Sequence, residues 1–316
     1  MSACLQVLEP GLLTTVQDLG RRGYERLGVP VAGAMDEYAL RAANGLVGNP
    51  PDAAGLEMTL AGPRLRADEN CLIAVCGADL GLRVNGWRLP GWMAVFVRRG
   101  WEITFEGKQW GCRAYLAVAG GIDVPAVLGS RSTYLRGGFG GYEGRALRPG
   151  DRLPVGEPSA APLELAGRRL PERAHPPYSD NPTLEVILGP QQEAFTPEGM
   201  ATFLSGEYAV EPASDRMGYR LRGPGITHRT SADIVSDGIV LGAVQVPASG
   251  QPIVTLADRQ TTGGYTQIAV VVRADIPLLA QCVPGKSQVR FRPTTVEAAQ
   301  ARYRMMIETL DRGLQT

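Results

Sequence analysis

Two short stretches in the second half of the chain gather side chains suited to gripping a small anionic molecule. Ser214-Asp-Arg-Met-Gly-Tyr-Arg220 sets two arginines near an aspartate and a tyrosine. Asp258-Arg-Gln-Thr-Thr-Gly-Gly-Tyr265 adds an aspartate, an arginine, a glutamine and two threonines just after the apolar run at 252–257. A guanidinium stays charged at every physiological pH, and its planar fork matches carboxylate and phosphate oxygens. In the first half, Gly129-Ser-Arg-Ser-Thr133 collects three hydroxyls and a guanidinium, a set that holds such an anion without titrating it. A plainer reading stands beside this one: Asp258–Arg259 and Asp215–Arg216 serve as ion pairs or turn supports, because arginine forks brace turns as well as bind ligands.

Other chemistries find less support. The two histidines, His175 and His228, stand apart in polar stretches, and there is no GxSxG elbow. Any catalysis therefore rests on carboxylates, hydroxyls, arginines and backbone amides. Ala280-Gln-Cys-Val-Pro-Gly-Lys-Ser287 spells a relaxed phosphate loop, but such a loop needs a helix after it to aim N–H groups at phosphate. Here Ser287-Gln-Val-Arg-Phe-Arg-Pro293 alternates like a strand, so Pro284-Gly285 is expected to be a turn. The Gly-rich stretch Arg136–Arg145 fails the GxGxxG spacing. It reads either as a flexible connection or as a loop closing over ligand.

The elements that must position these residues are mostly strands. Short apolar runs at 71–80, 93–97, 101–105, 115–120, 183–189 and 252–258 are bounded by turn residues, and Gly (40) and Pro (24) recur throughout. Helical spacing is confined to 36–47, stopped by Gly48-Asn-Pro50, and to about 294–310. A weak repeat links the halves: Asp18-x4-Gly23-Tyr24 resembles Asp215-x2-Gly218-Tyr219, 74–79 resembles 255–258, and Arg99-Gly100 before 101–105 resembles Pro284-Gly285 before 286–291. The Pro-rich, unperiodic region 156–182 reads as a linker. Two β domains, 1–170 and 171–316, are expected, the second with a terminal helix.

Composition bounds the function. The 316 residues are 44% apolar, with 32 Lys+Arg against 32 Asp+Glu, which argues against a nucleic-acid partner. No apolar run approaches the length of a membrane span, and the first residues lack the features of a secretory leader. Five scattered cysteines without a CxxC pair point to thiols in a reducing cytoplasm, neither a disulfide framework nor a metal site.

At these same segments the chain resembles, across nearly its whole length, the family that holds the C subunits of 5-oxoprolinase, the KipA-like proteins and allophanate hydrolase subunit 2, a family that is also biotin-dependent carboxyltransferase-like. The matching stretches are Gly11–Arg21, Gly28–Asp36, Ala43–Asn49, Leu56-Glu57, Tyr115–Ile122, Gly129–Thr133, Gly150-Asp151, Ser214–Leu221, Gly250–Ile253 and Asp258–Tyr265. One departure is Lys286, where the family more often has Asp after Pro-Gly.

The resemblance implies a mainly β fold of two tandem cyclophilin-like β-barrel domains with a C-terminal helix. It implies a KipI-like B subunit sharing the active site and a LamB/YcsF-type A subunit, together opening 5-oxo-L-proline to L-glutamate at the expense of ATP. The ATP site is not located in this chain. In that setting Asp258, Arg216 and Thr262 are the expected catalytic residues, and Ser130, Arg131, Ser132, Arg220, Gln260, Thr261, Tyr265 and Asp18 the expected substrate-binding ones. Arg131, Arg216 and Arg220 would hold the substrate carboxylate or a phosphate, and Gln260, Thr261 and Thr262 would donate to the lactam or its oxyanion. Asp258 or Asp18 would orient a proton or support an arginine. Two alternatives come with the family: a carboxyltransferase component of a biotin-dependent urea or allophanate system, and a regulatory antagonist of a KipI-like partner.

Overall fold

A computed structural model describes residues 4–315 of the chain. The expectation that no leader is present rests partly on residues 1–3, which lie outside the described residues. The chain forms two compact units. The first comprises the residues up to Arg21, Ala32–His175 and the chain from Glu308; the second comprises Arg22–Val31 and Pro176–Ile307.

The first unit packs two antiparallel sheets around one core. One sheet runs in the order Arg152–Pro154, Cys4–Glu9, Arg64–Ala67, Glu102–Phe105, Leu82–Val84 and Trp87–Arg88. The other runs Leu13–Gln17, Gly55–Thr59, Trp110–Val118, Cys71–Asp79 and Ala94–Val97. Strand Arg64–Ala67 alternates exposed and buried residues, the pattern of a half-solvated strand. Strand Cys71–Asp79 is buried at eight consecutive positions. Cys71, Ile73 and Val75 enter the intersheet core, and helix Glu37–Leu46 packs over the strand. Asp36 caps that helix by accepting Ala39 N–H at 2.9 Å. Asn49 stops it, donating Nδ2 to Val118 O at 2.8 Å and accepting Gly120 N–H at 2.8 Å.

The second unit closes a seven-stranded barrel: Thr183–Leu188, Gln267–Val271, Ala243–Gln245, Ile253–Thr255, Gly218–Arg222, Tyr208–Val210 and Gln288–Pro293. Its closing pair is parallel, with Thr183 opposite Arg290. Phe203 stacks on Phe291 at 4.6 Å, and Tyr219, fully buried, donates its hydroxyl to Cys282 O at 3.1 Å. A separate ribbon pairs Asp233–Gly238 with Thr262–Tyr265. The architecture is mainly β with a terminal helix, as the residue pattern and the family resemblance predict.

Three local expectations change. Residues 162–175, read as linker, are built into the first unit: Ala94 donates its N–H to Arg168 O at 2.8 Å, Leu170 donates to Trp92 O at 3.0 Å, and Leu170 is buried. The terminal helix is Val296–Gln315. Its part up to Ile307 belongs with the barrel, while its last turns belong with the first unit, where the space over Gly45 is filled by Leu314. Helix Pro197–Ser205, absent from the sequence reading, starts where Thr196 accepts Gly199 N–H at 3.0 Å. No helix of the described residues is long and apolar enough to cross a membrane.

Candidate functional site

Residues 280–287 carry no phosphate loop. Helix Ile276–Ala280 precedes the segment and strand Gln288–Pro293 follows it, the reverse of the strand–loop–helix order that points amides at phosphate. Gly285 takes φ +79°, and Ser287 closes the turn by accepting Val283 N–H on its hydroxyl at 2.9 Å. Gly100, its counterpart in the proposed repeat, takes φ +81°.

In the first unit the hydroxyl-rich segment folds onto Asp18. One carboxylate oxygen accepts from Gly20 N at 2.7 Å, Ser130 Oγ at 2.7 Å and Ser132 Oγ at 2.5 Å. The other accepts Arg131 N at 2.5 Å. Asp18, Ser130 and Ser132 are buried. The Arg131 side chain leaves this cluster, donating Nε to Val124 O at 2.7 Å and Nη2 to Asp123 at 2.9 Å. Asp18 is thus joined to both serines, while the guanidinium between them turns outward.

The Gly-rich loop resolves into a third role beside the two the sequence left open. Gly140 and Gly141 have φ of +70° and +57°. A Cβ on Gly140 would stand 2.1 Å from Ser132 O, and one on Gly141 would stand 1.8 Å from Thr133 Oγ1. The glycines allow this loop to lie directly on the 131–133 segment. Arg21, also fully buried, donates to Ser132 O from the same place.

In the second unit Arg216 forks onto Asp258, with Nε to Oδ2 at 3.0 Å and Nη2 to Oδ1 at 2.9 Å. Both are buried, and Asp258 N–H returns to Arg216 O at 2.8 Å. The arginine expected to face a ligand therefore spends its bidentate edge inside the protein. Beyond it, Gln260 and Thr262 are exposed, Thr261 is half-buried and accepts Ile239 N–H on its carbonyl at 3.0 Å, and Tyr265 is exposed at the end of the ribbon. Arg220 lies on the outward face of strand Gly218–Arg222, its backbone N–H donated to Ser214 Oγ at 3.0 Å. Asp258, Arg216 and the 260–265 segment form one neighbourhood; the Arg220 side chain points to solvent.

Two further features bear on the site. Glu57, Tyr115, Asp36 and Arg113 form a buried polar cluster in the first unit. Glu57 Oε2 accepts Met35 N at 2.9 Å and Tyr115 OH at 2.7 Å, Tyr115 OH accepts Asp36 N at 2.8 Å, and Arg113 Nε stands 3.9 Å from Glu57. Burial pushes the Tyr115 hydroxyl pKa well up, aided by the nearby carboxylates of Glu57 and Asp36. The signal was a glutamate and an arginine inside otherwise apolar strands. In the second unit an open cleft is lined by Ile226, His228, Thr230, Ala232 and Ser249. His228 Nε2 lies 3.1 Å from Val246 O and 3.0 Å from Thr266 Oγ1. None of the site residues expected from sequence lines that cleft.

Comparison with known proteins follows the same residues. Over 301 residues the chain is 39% identical to the 5-oxoprolinase C subunit of Escherichia coli, spanning 93% of each. It is 36% identical to urea amidolyase of Lachancea kluyveri over 98% of this chain and 18% of that protein. The crystal structure of the K. lactis urea amidolyase superposes with a TM-score of 0.92 at 32% identity, over 98% of this chain and 20% of that one. Residues 27–293 match the family described as carboxyltransferase domain, subdomain A and B, and the chain belongs to that family.

Proposed function

We propose that this chain is the C subunit of an ATP-dependent 5-oxoprolinase, acting with a KipI-like B subunit and a LamB/YcsF-type A subunit in the cytoplasm to convert 5-oxo-L-proline to L-glutamate. The observation that carries the reading is identity to the 5-oxoprolinase C subunit of Escherichia coli that spans 93% of both chains. The urea amidolyase match takes up only 18% of that protein, against 93% of the Escherichia coli subunit.

Opening a lactam requires the ring carbonyl to be made electrophilic, and ATP supplies that activation in the proposed complex. Because residues 280–287 do not fit a phosphate loop, no step through ATP is assigned to this chain. Its own contribution is positioning. The Arg216–Asp258 fork fixes the backbone from which Gln260, Thr261 and Thr262 offer hydrogen-bond donors to a ring carbonyl or its oxyanion. Asp18, with both oxygens held by four donors, fixes Ser130 and Ser132 in the first unit. In isolation the chain turns over neither 5-oxoproline nor ATP.

The test is reconstitution with a LamB/YcsF-type A subunit and a KipI-like B subunit, followed by ATP-dependent glutamate release. Release that requires all three proteins supports the proposal; ATP-dependent carboxylation with a biotinylated partner and no glutamate overturns it. That second outcome is the competing reading, a carboxyltransferase component of a biotin-dependent urea system, which the urea amidolyase matches favour. No step through biotin is assigned to any residue here.

A further inference from the structure

The open cleft of the second unit has two walls joined by hydrogen bonds. Segment 226–228 forms one wall, and its backbone is fixed from behind. Thr196 donates its N–H to Thr227 O at 3.1 Å, and Arg229 donates to Ala194 O at 2.7 Å. The turn at 247–250 forms the other wall, with Gly250 N–H on Pro247 O at 2.9 Å. Ile226 N–H crosses between them to Gly250 O at 3.0 Å. Gly250 takes φ +72°, and a Cβ there would stand 3.0 Å from both Ile226 N and Ile226 O. Glycine lets the walls come this close. The space they border has a volume of about 450 Å³, a size common among small-molecule sites.

His228 lines this space with one nitrogen committed and the other open. Its Nε2 lies 3.1 Å from Val246 O. A carbonyl can only accept, so Nε2 carries the ring hydrogen. The buried Thr266 Oγ1 stands 3.0 Å from the same nitrogen, and Phe195 packs on the ring at 4.7 Å. The neutral imidazole therefore keeps its lone pair on Nδ1. That atom has no hydrogen-bond partner among the described residues, and the protein does not enclose it. Thr227, Thr230 and Ser249 add hydroxyls to the lining, and among the described residues no Asp, Glu, Lys or Arg lines it.

We infer that this cleft binds a small uncharged amide, whose N–H donates to His228 Nδ1 and whose carbonyl accepts from the hydroxyls of Thr230 and Ser249. A fixed acceptor selects a donor, and hydroxyls rotate to give or take a hydrogen bond. An amide offers the matching donor and acceptor in one plane. A carboxylate is acceptor-only, so it would set its oxygens against the Nδ1 lone pair with no cation in the lining to offset the charge. None of the residues assigned to the proposed reaction lines the cleft, so the inference goes beyond that reading and does not rest on it.

The experiment titrates the purified full chain with acetamide and 2-pyrrolidone, and with acetate as the charged counterpart of acetamide. The readout is the imidazole nitrogen NMR resonances of His228, recorded with the ring neutral. Both amides are expected to shift Nδ1 in a saturable way, and acetate to leave it in place. His228→Phe is expected to weaken amide binding by about 10-fold or more, the loss of one good hydrogen bond. Thr230→Val, a change at an exposed position, is expected to weaken it by about 3- to 10-fold and decides the matter if His228→Phe does not fold. Shifts that never saturate, equal shifts with acetate, or amide binding unchanged in a folded variant would each overturn the site.

Discussion

Arg216 and Asp258 are 42 residues apart in sequence and share two hydrogen bonds, at 3.0 and 2.9 Å, in a buried setting. The pair ties the turn before strand Gly218–Arg222 to the end of strand Ile253–Thr255, so the 259–265 segment leaves the barrel in a fixed direction. Removing one member leaves the other as a buried charge stripped of this fork. Arg216→Ala is therefore expected to destabilise the protein by about 3–5 kcal/mol. Urea unfolding of the purified chain measures this, and a loss below about 1 kcal/mol would mean the pair is solvated in solution.

Asp18 gives a second stability test. Its carboxylate is the acceptor for four donors, two of them serine hydroxyls more than 110 residues away in sequence. Asp18→Ala leaves all four unmet in a buried place, an expected cost of about 3 kcal/mol, whereas Ser130→Ala removes one bond and is expected to cost about 1 kcal/mol. Denaturant midpoints of the two variants should fall in that order. Equal midpoints would contradict the hub.

What the sequence disclosed follows the range of the interaction. The helix placed at 36–47 and the turn at 284–285 are legible because helical spacing, stop and strand alternation lie within a few residues of each other. The barrel's closing pair, Thr183 opposite Arg290, and the Asp18–Ser132 bond depend on the tertiary path, which no local pattern encodes. The Ser130–Thr133 segment was noticed for its hydroxyls; its pairing with Asp18 was not, and its arginine faces Asp123. Arg216 and Asp258 were both singled out, but side-chain chemistry alone could not choose between a brace and a ligand contact.

The pH response of the first unit should carry the mark of His175. Burial pushes its pKa below the usual value near 6.5, against the opposing hydrogen bond to Leu170 O at 3.1 Å and the charge of Glu172. Its ring stacks on Trp92 at 4.3 Å. The folded state therefore binds the proton less readily than the unfolded chain, so stability falls as pH drops through about 6.5 and levels off below the folded-state pKa. Urea midpoints measured from about pH 7.5 to pH 5 should decline more steeply in wild type than in His175→Gln. Parallel curves would assign the decline to other groups.

Tyr115 carries the most exacting test, since its hydroxyl joins two segments by opposite roles. It donates to Glu57 Oε2 at 2.7 Å and accepts Asp36 N–H at 2.8 Å. Asp36 in turn caps helix Glu37–Leu46, so one oxygen links strand Trp110–Val118 to the start of that helix. Tyr115→Phe preserves the ring and its packing but takes a donor from a buried carboxylate oxygen and an acceptor from a buried N–H. The cost of the two lost bonds is expected to be about 2–4 kcal/mol. Because the N–H belongs to the capping residue, amide hydrogen exchange should quicken first at residues 37–40, before the barrel of the second unit responds. Uniform exchange across both units, or an unchanged urea midpoint, would remove the hydroxyl from the groups that hold this corner together.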